Sequence, residues 1–109
     1  MYHLTEYALT RTWTDHARRR ISRGKADTLE EENALAWNYI EWTICHLTFR
    51  LSTSRIIAYF QSWQHSESRP RQQRANAYAI RRPQQVLDRL EERGLVKRIR
   101  GGVMPSRQV

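Results

Sequence analysis

Thr28 and Glu31 stand three residues apart at the head of a long apolar stripe, and this pair limits the fold more than any other feature. In a capping box each of the two side chains satisfies a backbone donor near the other, so the start of a helix is set. Leu29, Ala36, Ile40, Ile44, Leu47 and Leu51 then recur at helical spacing, and Trp37, Tyr39 and Trp42 widen the stripe. The pattern predicts a helix of about 22 residues, buried on more than one side. Glu30, Glu31 and Glu32 fall in its first turn, where the helix dipole favours negative charge.

Two more helices flank this one. Leu9, Trp13, Ala17 and Ile21 recur every four positions, which predicts a first helix over residues 4–22. Arg18, Arg19 and Arg20 suit the negative pole of its dipole, and Gly24 is placed to take a left-handed capping conformation. Ser52, Thr53 and Ser54 offer oxygens to cap a third helix, whose apolar face is Ile56, Ile57, Phe60 and Trp63. Residues 64–70 (QHSESRP) are polar and aperiodic, and are expected to form an exposed connection.

The last part of the chain changes character. Residues 1–67 hold eight Lys/Arg and eight Asp/Glu, whereas residues 68–109 hold eleven against three, so the whole net charge of +8 comes from the C-terminal segment. A one-sided positive field of this kind attracts polyanions. Residues 71–78 (RQQRANAY) predict a short helix, Ala79 and Ile80 a turn, and Pro83 the first position of a further helix, where its missing donor is not needed. In that helix Val86, Leu87 and Leu90 share one face, and Gly94 stops it. LVKRIR at 95–100, Gly101-Gly102 and Val103-Met104 then read as a basic β-hairpin ended by Pro105.

The stretch from Ala75-Asn76-Ala77-Tyr78-Ala79-Ile80 through Leu87-Asp88-Arg89-Leu90-Glu91-Glu92-Arg93-Gly94-Leu95-Val96 resembles the winged helix-turn-helix regulators of the MarR type, over residues 53–104. The resemblance implies a mainly α fold: a winged helix-turn-helix with a short C-terminal β-hairpin wing and two extra N-terminal helices, all within one domain of residues 1–109. It also implies sequence-specific binding of double-stranded DNA by a small transcriptional regulator. With Val86, Leu87 and Leu90 turned inward, Arg81, Arg82, Gln84, Gln85 and Arg89 are the candidates for reading bases, since Arg can bridge guanine and Gln can pair with adenine. Arg69, Arg71, Arg74, Lys97, Arg98 and Arg100 are candidates for phosphate contacts. Residues 1–51, with Trp13, Trp37 and Trp42, are expected to form a homodimer and so favour a palindromic operator.

Other chemistries find little footing. Cys45 is the single cysteine, so no internal disulfide is expected, and His3, His16, His46 and His65 lack the spacing of a zinc hydrolase. Neither a glycine-rich phosphate loop nor an apolar run long enough to span a bilayer occurs, so no catalytic residue, metal or cofactor is expected and the chain is placed in the cytoplasm, on the nucleoid. An effector is unspecified. Two alternatives remain open: a plasmid or phage replication, partition or nucleoid-associated factor, and an interaction module that docks its basic face on an acidic protein.

Overall fold

In a computed structural model, residues 1–10, 15–47, 50–64 and 69–99 are described, and these form six helices and three short strands. The chain opens with β1 (Tyr2–Leu4), followed by α1 (Glu6–Thr10), α2 (Asp15–Arg23) and the long α3 (Leu29–Leu47). β2 (Arg50–Leu51), α4 (Thr53–Gln64), α5 (Pro70–Arg81), α6 (Pro83–Glu92) and β3 (Val96–Arg98) complete it. The strands make one antiparallel sheet in the order β2-β1-β3, with Tyr2 opposite both Leu51 and Arg98.

The local capping chemistry is realised where the residues called for it. Glu31 N–H donates to Thr28 Oγ1 at 3.1 Å, and the Glu31 carboxylate accepts from Asp27 N–H at 3.0 Å, so α3 begins at the capping box. Ser52 Oγ accepts from Arg55 N–H at the head of α4. At the end of α6, Gly94 has φ of 73°, and Gly94 N–H and Leu95 N–H return to the carbonyls of Glu91 and Leu90. This paired return closes the last turn and aims the chain into β3.

The expected helix over residues 4–22 starts later, at Glu6, and residues 11–14 lie outside the described residues. Thr5 sets that start: its Oγ1 accepts from Ala8 N–H and donates to Gly94 O at 2.6 Å, while its N–H donates to Leu95 O. The first residues are thereby fastened to the end of α6 as the central strand of the sheet, with Tyr2 and Leu4 buried and Leu9 exposed. The partner found for β3 is thus β1, while residues 100–104, and with them the expected hairpin turn, lie outside the described residues.

Three further differences have local causes. Gly24 is not left-handed; its N–H continues the α2 ladder to Arg20 O, and a side chain there would collide with that carbonyl. α3 stops at Leu47, so Leu51 is buried from a strand, and Leu29 at the other end is 76% exposed. Ala79 and Ile80 are helical and Ala79 is fully buried, because the break expected there is deferred to the residue before Pro83.

The core is assembled from β1, α1, α2, α3, β2, α4, α5, α6 and β3, with Ile40, Ile44, Ile56, Phe60, Ala79, Val86, Leu87 and Leu90 among its buried side chains. Trp63, expected on the apolar face of α4, is exposed. Polar groups enter the core as pairs. Tyr39 Oη donates to Asn76 Oδ1 at 3.0 Å between α3 and α5, and Glu41 is ion-paired to Arg93 at the end of α6.

Candidate nucleic-acid interface

α5 and α6 are joined by a single residue. Arg82 N–H donates to Tyr78 O, closing α5, and Arg82 O accepts from Val86 N–H, opening α6. The residue before a proline is pushed out of the helical region by the pyrrolidine ring, and Arg82 accordingly lies at φ −130°, ψ 54°. This connection is tighter than the three- or four-residue turn typical of helix-turn-helix units. No side chain caps α6; Pro83 carries no N–H and Val86 N–H donates to Arg82 O, so the first-turn donors at the positive pole of the helix dipole are those of Gln84 and Gln85.

Charge is distributed unevenly along α6. Arg81 and Arg82 are exposed at its N-terminal end, whereas Asp88, Glu91 and Glu92 are exposed further along. Gln84 and Gln85 lie between them. Gln84 Nε2 donates to Tyr2 Oη and to Asp88 Oδ1, both at 3.0 Å, which ties the helix to β1. Gln85 Oε1 accepts from Tyr78 Oη at 2.7 Å, so its amide is oriented from α5. Val86, Leu87 and Leu90 are buried, as the wheel required.

On β3, Val96 is buried while Lys97 and Arg98 are exposed. Arg98 lies 5.3 Å from the centre of the Tyr2 ring and 3.4 Å from Glu91 Oε1. Arg100 lies outside the described residues. Arg81, Arg82, Gln84 and Gln85 therefore gather at the head of α6, with Lys97 and Arg98 on the strand that follows it.

The remaining cations have other positions. Arg71 is buried at 9% exposure and acts as a clamp between elements: Nε and Nη2 donate to the two Glu32 oxygens at 2.7 and 2.8 Å, Nη1 to Ile21 O at 3.0 Å, and Nη2 to Gly24 O. The candidate phosphate contact is thus internal, joining α5 to α2 and α3. The Arg71 hydrogen bond holds the Glu32 carboxyl below the usual glutamate range, and the same bond raises the Arg71 guanidinium above its ordinary value. Beside it, Arg74 is exposed and reaches Glu32 at 3.2 Å. Arg69, half-exposed, precedes α5.

Arg89 does not join the α6 head either. Its guanidinium lies 4.5 Å from the centre of the Trp37 ring, which Tyr78 meets edge-on at 5.5 Å. Trp37 is half-buried under these two groups, and half-buried Trp42 sits against His46. Trp13, the third expected pairing residue, is outside the described residues.

The sequence alone does not assign Glu32, Tyr78, Glu41 and Asn76 the contacts they make here. A faint signal existed for Glu32: Arg71 falls in the first turn of α5, where the dipole disfavours a cation, so a nearby carboxylate is needed. Glu41 in the midst of an apolar stripe asks for a partner in the same way. Nothing in the spacing names Arg93 as that partner.

Among the described residues no group of three or more His, Cys, Asp and Glu side chains is placed to hold a metal ion, and no helix is long and apolar enough to cross a membrane. Comparison of the chain with family models, curated proteins and solved structures gives no match.

Proposed function

We propose that the chain is a sequence-specific binder of double-stranded DNA, a small transcriptional regulator of winged helix-turn-helix type and not an enzyme. The observation that carries this reading is the head of α6, where Arg81 and Arg82 flank an uncapped helix start and Gln85 lies one turn along. Such a helix end offers phosphate its backbone donors and offers base edges its side chains. The acidic residues of α6 lie toward its other end, so an approach by the N-terminal end is the one electrostatics favours. Arg81, Arg82 and Gln85 read bases, and Lys97 and Arg98 hold the backbone.

The working form is a homodimer on a palindromic site, located on the nucleoid in the cytoplasm. Tyr7, Leu9 and Leu29, each more than half exposed on α1 and at the start of α3, support the N-terminal elements as the pairing surface.

Binding-site selection on duplex DNA tests the reading. Arg81→Ala and Gln85→Ala each cost about 1–3 kcal/mol on the selected site and relax preference at one base pair. Lys97→Ala with Arg98→Ala lowers the salt slope of log affinity by about 1.8, or about 0.9 per phosphate contact. Failure of the intact protein to bind any duplex at low salt refutes the proposal.

A further inference from the structure

α3 and α5 leave between them an open cleft of about 440 Å³. Ala36, Trp37 and Ile40 line it from α3, at helical spacing over more than one turn. Arg74, Ala77 and Arg81 line it from α5, so two arginines stand two helical turns apart, about 10 Å along the backbone, on one wall. The alanines provide the depth and the arginines make the wall cationic. Glu32, on the other side, already receives two bonds from Arg71, so the longer 3.2 Å contact from exposed Arg74 can be surrendered without stripping that carboxylate.

We propose that this cleft is a docking site for an acidic amphipathic helix of a partner protein. The occupant lays apolar side chains on Ala36 and half-buried Trp37 and presents two carboxylates, seven residues apart on one edge, to Arg74 and Arg81. Seven residues of helix span the same two turns on both partners, so the charges fall in register. A duplex backbone has no apolar side chains for the floor. A small organic acid reaches one guanidinium and leaves the other.

The cleft also touches the DNA reading of the previous section. Arg81 belongs both to its wall and to the head of α6, and Tyr78, another lining residue, donates its hydroxyl to Gln85. A docked acidic helix therefore withdraws Arg81 from DNA, and the two partners exclude each other. Only this competition rests on the DNA reading; the docking itself does not.

The test is a display selection of random peptides of about 16 residues against the full chain, with no DNA present. Enriched sequences are expected to be amphipathic helices with Asp or Glu pairs seven apart beside Leu, Ile or Phe. Their affinity is expected to fall tenfold or more with Arg74→Glu plus Arg81→Glu, and similarly with Ala77→Leu, which fills the cleft and adds no charge. No enrichment, binders without the acidic pair, or binders indifferent to Ala77→Leu overturn the proposal. So does a change in self-association on filling the cleft, which would make the occupant a second copy. Duplex DNA titrated against a labelled selected peptide then reads the competition: displacement supports it, and simultaneous binding overturns the sharing of Arg81. Peptide binding by a chain that binds no duplex sinks the DNA reading alone.

Discussion

Replacing Arg71 with Met separates a structural cation from a DNA-binding one. The side chain makes four hydrogen bonds, two of them as a fork onto the Glu32 carboxylate and two onto the carbonyls of Ile21 and Gly24. Breaking a buried ion pair costs about 3–5 kcal/mol, because a charge is left without compensation. Glu32 retains Arg74 and its side chain is 26% exposed, so water offsets part of that loss. About 1–2 kcal/mol then remains for the carboxylate, and the two carbonyls add about 1 kcal/mol in total. Arg71→Met is therefore expected to lose about 2–3 kcal/mol, against a total of about 5–15 kcal/mol for a small domain. In a urea titration followed by tryptophan fluorescence the midpoint should fall by about 1–1.5 M for a slope near 2 kcal/mol/M, with the slope unchanged. Arg71→Lys should recover less than half, since an ammonium cannot reproduce the fork. A loss below about 1 kcal/mol refutes the clamp. So does a salt slope for DNA binding that drops by about one phosphate contact while stability is kept.

The other predictions follow from single groups. Because the folded pKa of Glu32 is depressed, its stabilising contribution is present above the ordinary glutamate value of about 4.3 and is lost as pH falls through the lower folded value. Stability of the parent protein should thus fall below about pH 4.3 more steeply than that of Arg71→Met, and parallel curves would contradict the linkage. Gly94→Ala meets no atom within 4 Å but places a Cβ at a φ of 73°, so it should cost about 1 kcal/mol through backbone strain alone, read as a midpoint shift. Arg89→Ala should leave the selected DNA sequence unchanged and move tryptophan emission to the red as Trp37 gains water; a changed base preference would return Arg89 to the reading surface.

What was legible in the sequence was what short-range physics decides. Thr28 with Glu31, Ser52, Pro83 and Gly94 marked helix ends through groups a few residues apart, and Val86, Leu87 and Leu90 marked the buried face of α6. The strand at Tyr2–Leu4 was hidden because three residues carry no period, and because the helical stripe through Leu9 and Ile21 extends back to Leu4 in the sequence. Its partner Val96–Arg98 lies at the far end of the chain, and no local preference encodes such a pairing. The candidate site divides in the same way. The head of α6 follows from a proline and two neighbouring arginines. The diversion of Arg71 to Glu32 and of Arg89 to Trp37 depends on how α3 lies against α5 and α6, and an arginine looks the same in the sequence whether it will meet water or a carboxylate.

The central position of β1 also governs the order of assembly. Closing the loop between Leu4 and Val96 spans about ninety residues and costs about 4 kcal/mol of chain entropy before any strand contact rewards it. During synthesis Tyr2 and Leu4 precede β3 by about ninety residues, so one of their two neighbouring strands does not exist until β3 has been made. α3, α4 and α5 can dock through local contacts in the meantime. The early strand waits with its β3 edge open, exposed to capture by other chains. Refolding of the sheet should lag behind helix formation, and crowding by nascent chains should penalise this protein at β1.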